Sequence, residues 1–183
     1  PLTTWRIGGT AELLATPDLT FDKRLGYVDV ILRNGRRLTT VISDILDLAR
    51  IESGRLDMHI ENVSLVEVLA ECNSQNMRAA EMRGIQFVHA NSCEQLHVKA
   101  DRRRLVQVLN NLISNAIKYN SEGGTVTVSC APAASGQIRV AVTDSGLGIA
   151  ADRLAQLFQP FNRLGAEMGR IEGTGIGLVI TRR

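Results

Sequence analysis

An apolar stripe of helical period runs from about Phe21 to Ser53, and it limits the possible folds more than any other feature. Val28, Ile31, Gly35, Leu38, Ile42, Ile45 and Ala49 alternate spacings of three and four. That is a heptad seam, the pattern of one helix laid along others. A stripe this long exceeds what one short helix can cover, whereas a dimeric four-helix bundle covers it, with Ile31, Leu38, Ile42 and Ile45 at the seam. The plainer alternative is a long amphipathic helix packed on its own domain. Ahead of it, Leu2, Trp5, Leu13 and Leu14 recur at helical spacing, weakened by Gly8-Gly9. Thr16-Pro17-Asp18 reads as a turn, and Gly54 as a C-terminal helix cap.

Beyond Gly54 the pattern changes to mixed strands and helices. Asp57 to Val63 reads as a strand. Ser64 with Glu67 forms a capping box for a helix to about Met82. Ile85–Ala90 and Leu96–Ala100 read as short strands, and Asp101 caps a helix to about Tyr119. Thr125–Cys130 and Ile138–Val142 form a hairpin. A short helix is expected from about Asp152 to Leu157. Residues 162 to 172 have no clear period and read as a mobile lid. With aromatics at 4%, the core is expected to be mostly aliphatic. The net charge of +2 gives no case for nucleic acid. No apolar run reaches the ~20 residues of a membrane span. Cys72, Cys93 and Cys130 form no Cys-x-x-Cys pair or zinc pattern and read as free buried thiols of a reducing compartment.

Four short pieces carry the chemistry. On the helix after Asp101, Leu105, Val108, Leu109, Leu112 and Ala116 make the expected core face. Asn111, Asn115 and Lys118 share a sector of roughly 60° at its edge. An asparagine offers a neutral carbonyl oxygen suited to Mg²⁺, and a lysine one turn away offers charge for phosphate oxygens. Asp144 ends an apolar strand. A buried carboxylate there accepts from the adenine amine and repels the carbonyl of guanine. Gly146 and Gly148 let the backbone turn near a base, and Ile149 adds an apolar contact. Phe158-Gln159-Pro160-Phe161 supplies lid anchors and core. Gly173, Gly175 and Gly177, followed by Leu178, strip side chains from a backbone opening a helix, where amides favour anions. A dinucleotide fingerprint fails there: it needs glycine where Leu178 stands and a strand where Met168 to Glu172 stand. No Gly-Lys pair exists for a Walker-type loop. Arg163 and Arg170 flank the lid and could reach phosphates, although solvated arginines are the norm. Arg102-Arg103-Arg104 reads as a solvated face, with contact to the hairpin or a partner as the alternative.

In this order the pieces resemble the catalytic core of sensor histidine kinases over nearly the whole chain. Asn111 to Tyr119 is similar to the N box, Asp144 to Ile149 to the G1 box, Phe158 to Phe161 to the F box and Gly173 to Leu178 to the G2 box. Ile45 to Gly54 is similar to the joint between the family's dimerisation hairpin and its ATP domain. The resemblance implies an α+β chain: a helical dimerisation and phosphotransfer hairpin over residues 1–54, then a two-layer α/β sandwich of Bergerat type over 55–183. It also implies ends cut short, with the last strands of the sheet missing. It implies Mg²⁺ and ATP as cofactors, with Asn115 holding the metal and Asn111, Lys118 and Tyr119 beside the phosphates. The γ-phosphoryl would pass to a histidine and then to a receiver-domain aspartate on a response regulator. The acceptor histidine would lie five residues before Pro1, so no catalytic nucleophile is expected within this chain. His59, His89 and His97 are outside the hairpin. A homodimer is implied, in a cytoplasmic setting, whether or not the parent is membrane-anchored.

The competing functions are an ATPase or a nucleotide-sensing module of the same superfamily. The related ATPases carry a glutamate base four residues before the metal asparagine. Asn111 stands there, and an amide takes no proton near neutral pH. Such a pocket holds ATP without spending it on water.

Overall fold

The computed structural model describes residues 2–16, 18–89, 93, 96–162 and 173–182. The chain divides into two compact units, residues 1–55 and 56–183. In the first, α1 (Leu2–Leu14) packs on α2 (Phe21–Glu52) as a helical hairpin. α1 continues through Gly8 and Gly9, where an added Cβ would meet nothing within 4 Å. Those glycines therefore cost backbone entropy, about 1 kcal/mol each, without breaking the helix. Gly54 ends α2 as expected, with φ of 66°. The Arg55 amide donates to Arg50 O and the Gly54 amide to Ile51 O. This crossed pair satisfies carbonyls that a helix end leaves open.

The seam of α2 divides in two. Ile31, Gly35 and Leu38 are half-buried in the hairpin, whereas Val28, Ile42 and Ile45 are exposed, as are Leu25, Leu32 and Leu46. The apolar stripe is wider than the surface α1 covers.

The second unit runs β1 (Glu61–Ser64), α3 (Leu65–Glu81), β2 (Gln86–His89), β3 (His97–Ala100), α4 (Arg102–Lys118), β4 (Thr125–Pro132), β5 (Ile138–Asp144), α5 (Ala151–Leu154) and α6 (Gly177–Arg182). β1 pairs antiparallel with β3. β2 pairs parallel with β4, and β4 antiparallel with β5, Val126 facing Asp144 and Pro132 facing Ile138. α3 and α4 pack on each other, and α4 also against β4 and β5. Leu65, Val68, Ile113, Ile117, Val126, Val128 and Ile176 are the largest fully buried apolar side chains. Phe87 is only partly buried, so the core is aliphatic. Each such side chain contributes about 1.5–3 kcal/mol by leaving water.

Local readings shift in three places. β1 begins at Glu61 rather than Asp57, because the preceding segment is tied elsewhere: the His59 amide donates to Asp101 Oδ2 at 3.0 Å. Ser64 makes no side-chain cap bond for α3. It is the last residue of the β1–β3 ladder, and the Leu65 amide donates to Leu96 O instead. α5 stops at Leu154 and passes into turns. By contrast, Asp101 does cap α4, accepting from the Arg104 amide at 3.1 Å.

The cysteine reading holds for Cys72 and fails for the other two. Cys72 is buried and free, and burial pushes its thiol up to about 11, so it stays protonated. Cys93 and Cys130 are joined in a disulfide, their Cα atoms 5.0 Å apart. Their separation of 37 residues matches no local motif. The fold brings Cys93, between β2 and β3, against Cys130 of β4, and only that makes them neighbours.

Candidate functional site

α4 carries most of the candidate side chains. Its deepest residues are Val106, Leu109, Ile113, Ala116 and Ile117. That stripe is rotated by roughly 70° from the one expected on Leu105, Val108, Leu109, Leu112 and Ala116. The difference arises because α4 is covered on more than one side. Leu105, Val108 and Leu112 are half-buried, and α6 packs on the same helix. Asn111, Asn115 and Lys118 therefore lie nearly opposite the deepest stripe, not at its edge, and all three are half-buried.

Their roles in the fold differ. Asn111 Nδ2 donates to Gly177 O at 3.2 Å, tying α4 to the first turn of α6. A Cβ on Gly177 would lie 3.1 Å from the Asn111 amide, so a larger residue there would have to displace Asn111. Asn115 makes no side-chain hydrogen bond with any described residue. Its carbonyl oxygen is thus open to a ligand. Tyr119 caps the end of α4 and is exposed.

Asp144 is the last residue of β5, as expected, but it is exposed rather than buried. Its Oδ1 accepts the Gly146 amide at 2.9 Å, which fixes the carboxylate on the rim of the sheet. The loop that follows is pressed onto the end of α4. A Cβ on Gly146 would sit 2.5 Å from Tyr119 O, so only glycine permits this approach. Gly148 has φ of 69° and is open on all sides. Leu147 is 96% exposed and, with exposed Ile149 and Tyr119, leaves apolar surface uncovered beside Asp144.

The other two pieces meet each other. The Phe161 amide donates to Gly175 O at 3.0 Å, and Gly175 has φ of 72° with the Phe161 backbone 2.8 Å from where a Cβ would stand. Phe161 also has a positive φ, 64°, and its ring is exposed, so it anchors through its backbone and not as core. Phe158 lies under the Arg182 guanidinium at 4.7 Å, a cation–π contact from α6. Gly173 is half-buried just before this turn, Ile176 is fully buried, and Leu178 is half-buried on α6. Of the expected lid, residues 163 to 172, with Arg163 and Arg170, lie outside the described residues, while Asn162 Nδ2 donates to Gln159 Oε1 at 3.0 Å. The arginine run is not merely solvated: Arg102 pairs with Glu71 of α3 at 2.8 Å, and Arg104 bonds Gln107.

Two residues that the sequence reading passed over belong to the same architecture. Arg83, just after α3, donates to the carbonyls of Ile117, Lys118 and Asn120 at the end of α4. Asn120 is buried and is hydrogen-bonded to Thr125 O and Ser145. A polar residue directly after the Lys118-Tyr119 pair was the only available signal, and it reads as an ordinary turn.

Among the described residues no cluster of histidine, cysteine and acidic side chains forms a metal centre, and no helix is long and apolar enough to cross a membrane. A divalent ion here would need oxygen donors from amides and from a ligand, which suits the open Asn115 carbonyl.

Known proteins with these features are similar along most of the chain. Residues 100–183 match the family described as histidine kinase-, DNA gyrase B-, and HSP90-like ATPase, and residues 1–54 match the His Kinase A (phospho-acceptor) domain. An uncharacterized sensor-like histidine kinase of Rhizobium meliloti (strain 1021) is 35% identical over 162 residues, covering 88% of this chain. The chain spans 31% of that relative's length. The full-length ShkA crystal structure in complex with AMPPNP superposes with a TM-score of 0.72 at 27% identity, over 98% of this chain and 37% of that one. Histidine kinase ThkA, in complex with response regulator protein TrrA, superposes with a TM-score of 0.66 at 25% identity, over 87% of this chain and 46% of that one.

Proposed function

Because this chain belongs to the sensor histidine kinases and carries both parts of their catalytic core, we propose that it binds Mg²⁺-ATP and presents the γ-phosphoryl to a histidine. From there the group passes to an aspartate on a response regulator. In this reading Asp144 accepts from the adenine amine, with Gly146, Gly148 and Ile149 around the base. Asn115 holds the Mg²⁺, Lys118 and Tyr119 lie toward the phosphates, and the backbone of Gly173, Gly175, Gly177 and Leu178 lines the far end. When bound, the metal neutralises phosphate charge; the chain's own task is to position the nucleotide.

The observation that carries this reading is the junction of three motifs on one helix. The loop after Asp144 docks on the end of α4 at Tyr119 O, and α6 docks on the same helix through Asn111 and Gly177. Asn111 also speaks against water activation. It stands where an ATPase of this superfamily has its base, and its amide is a donor to Gly177 O.

The hairpin is proposed to form a homodimer. Val28, Ile42 and Ile45 stay exposed in one chain beside exposed Leu25, Leu32 and Leu46, an apolar face that a second copy would cover. The kinship of ThkA, whose structure includes a response regulator, supports a receiver domain as the next acceptor.

Calorimetry with Mg²⁺-ATP and Mg²⁺-GTP tests the site. Asp144→Asn turns an acceptor toward a donor and is expected to weaken ATP by about 1.5–3 kcal/mol, the range for hydrogen bonds to charged groups. Equal affinity of the unaltered chain for ATP and GTP would remove Asp144 from its role. In a protein that joins this chain to an acceptor histidine, steady ATP hydrolysis with no acid-labile, base-stable phosphoryl adduct would favour an ATPase instead.

A further inference from the structure

The nucleotide reading names residues that would touch ATP, but not what holds the base-reading end in line with the metal end. Asn120 occupies that position. It follows the Tyr119 cap of α4, whose face carries Asn115 and Lys118, and it is 6% exposed. All the polar atoms of its side chain are engaged. Nδ2 donates to Thr125 O at 2.9 Å, while Oδ1 accepts the Ser121 amide at 2.9 Å and the Ser145 hydroxyl at 3.1 Å.

Ser145 completes the connection. Its Oγ accepts the Thr125 amide at 2.8 Å while donating to Asn120, and its own amide donates to Thr125 O. One hydroxyl therefore ties together the start of β4, the end of α4 and the residue directly after Asp144. The space between them is fully used: a Cβ on Gly124 would fall 2.4 Å from Asn120 Oδ1 and 2.6 Å from Ser145 Oγ. Arg83 braces the same turn from behind through Asn120 O.

We infer that Asn120 and Ser145 are positioning residues that set adenine specificity, by fixing the carboxylate of Asp144 relative to the asparagine face of α4. The inference rests on the reading of Asp144 as the adenine contact. Neither residue needs to touch the nucleotide. The Gly146 amide holds the carboxylate within its own loop, but only a tie from that loop to α4 sets where the carboxylate stands relative to Asn115. Tying Ser145 down on both sides fixes that position before the base arrives, which favours the ligand that fits the fixed carboxylate.

Ser145 is the better residue to alter, because Asn120→Ala would leave the Thr125 carbonyl short of a buried donor. Binding of Mg²⁺-ATP and Mg²⁺-GTP is measured for the unaltered chain, Ser145→Ala, Ser145→Thr, Asp144→Asn and the Ser145→Ala/Asp144→Asn pair, with thermal melts alongside. Ser145→Ala is expected to lower the ATP-to-GTP preference about three- to tenfold, the effect of roughly one hydrogen bond. Ser145→Thr keeps the hydroxyl and restores the preference. Adding Ser145→Ala to Asp144→Asn lowers it no further, because the group being positioned is already gone. A preference unchanged in Ser145→Ala, even with both nucleotides bound equally more weakly, or lost additively with Asp144→Asn overturns the positioning role. No preference for ATP in the unaltered chain would overturn the Asp144 reading itself.

Discussion

Replacing Arg83 by alanine should destabilise the second unit more than an exposed-arginine change normally does. Arg83 is half-buried, and its guanidinium donates to three carbonyls at one helix end: Ile117, Lys118 at 2.7 Å and Asn120 at 2.7 Å. Ile117 and Lys118 are among the carbonyls that α4 cannot satisfy internally, and Asn120 lies just beyond its end. A typical net contribution is about 0.5–1.5 kcal/mol per hydrogen bond, and more when the donor is charged. Water can replace part of this at a half-exposed site, so about 1 kcal/mol each is a fair value. A cation at a helix C-terminus adds about 0.3–1 kcal/mol. The expected loss is about 3–4 kcal/mol. With a urea slope of about 1.5 kcal/mol per molar, the midpoint falls by roughly 2 M. Urea unfolding by circular dichroism, with amide exchange along α4, measures it. Arg83→Lys keeps the charge but not the planar fork, and should recover about a third of the loss. A loss under about 0.5 kcal/mol for Arg83→Ala would show that water serves these carbonyls equally well, and the bracing role would be wrong.

Asp101 is held below its ordinary pKa of 3.8 by the His59 amide first and the Arg104 amide second. A depressed carboxylate contributes stability that is present above its unfolded pKa and lost as pH falls through the folded one. The second unit should therefore weaken below about pH 4, and Asp101→Asn, which still caps, should flatten that part of the stability–pH curve. Opening the Cys93–Cys130 bond releases a loop spanning 37 residues, and a denaturant melt with and without reductant should differ by about 3–4 kcal/mol. Cys93→Ser should abolish that difference; no difference between the two melts of the unaltered chain would show that the bond does not form. Ile42→Glu with Ile45→Glu should give monomers in sedimentation. If the unaltered chain is already monomeric at about 10⁻⁵ M, the proposed hairpin dimer fails.

Local and periodic features were decided along the chain itself. The seam of α2 and its Gly54 cap depend on residues within a turn or two of each other, as does the Asp101 cap of α4, so a linear reading finds them. The ordered motifs likewise needed no coordinates, because their order along the chain already resembles that of a known family. Contacts between distant segments were decided only by the tertiary structure. Which face of α4 is deepest depended on α3 and the sheet packing on it, and α6, docking on another side, turned Asn111 from a flank residue into a tie to Gly177. Whether Asp144 is buried depended on what covers a sheet rim, and the described chain leaves it open. Cys93 and Cys130 became partners because two segments meet across the sheet. The Arg83 and Asn120 hydrogen bonds, which reach up to 37 residues along the chain, leave no period to read, because a side chain's partner is chosen by proximity in space.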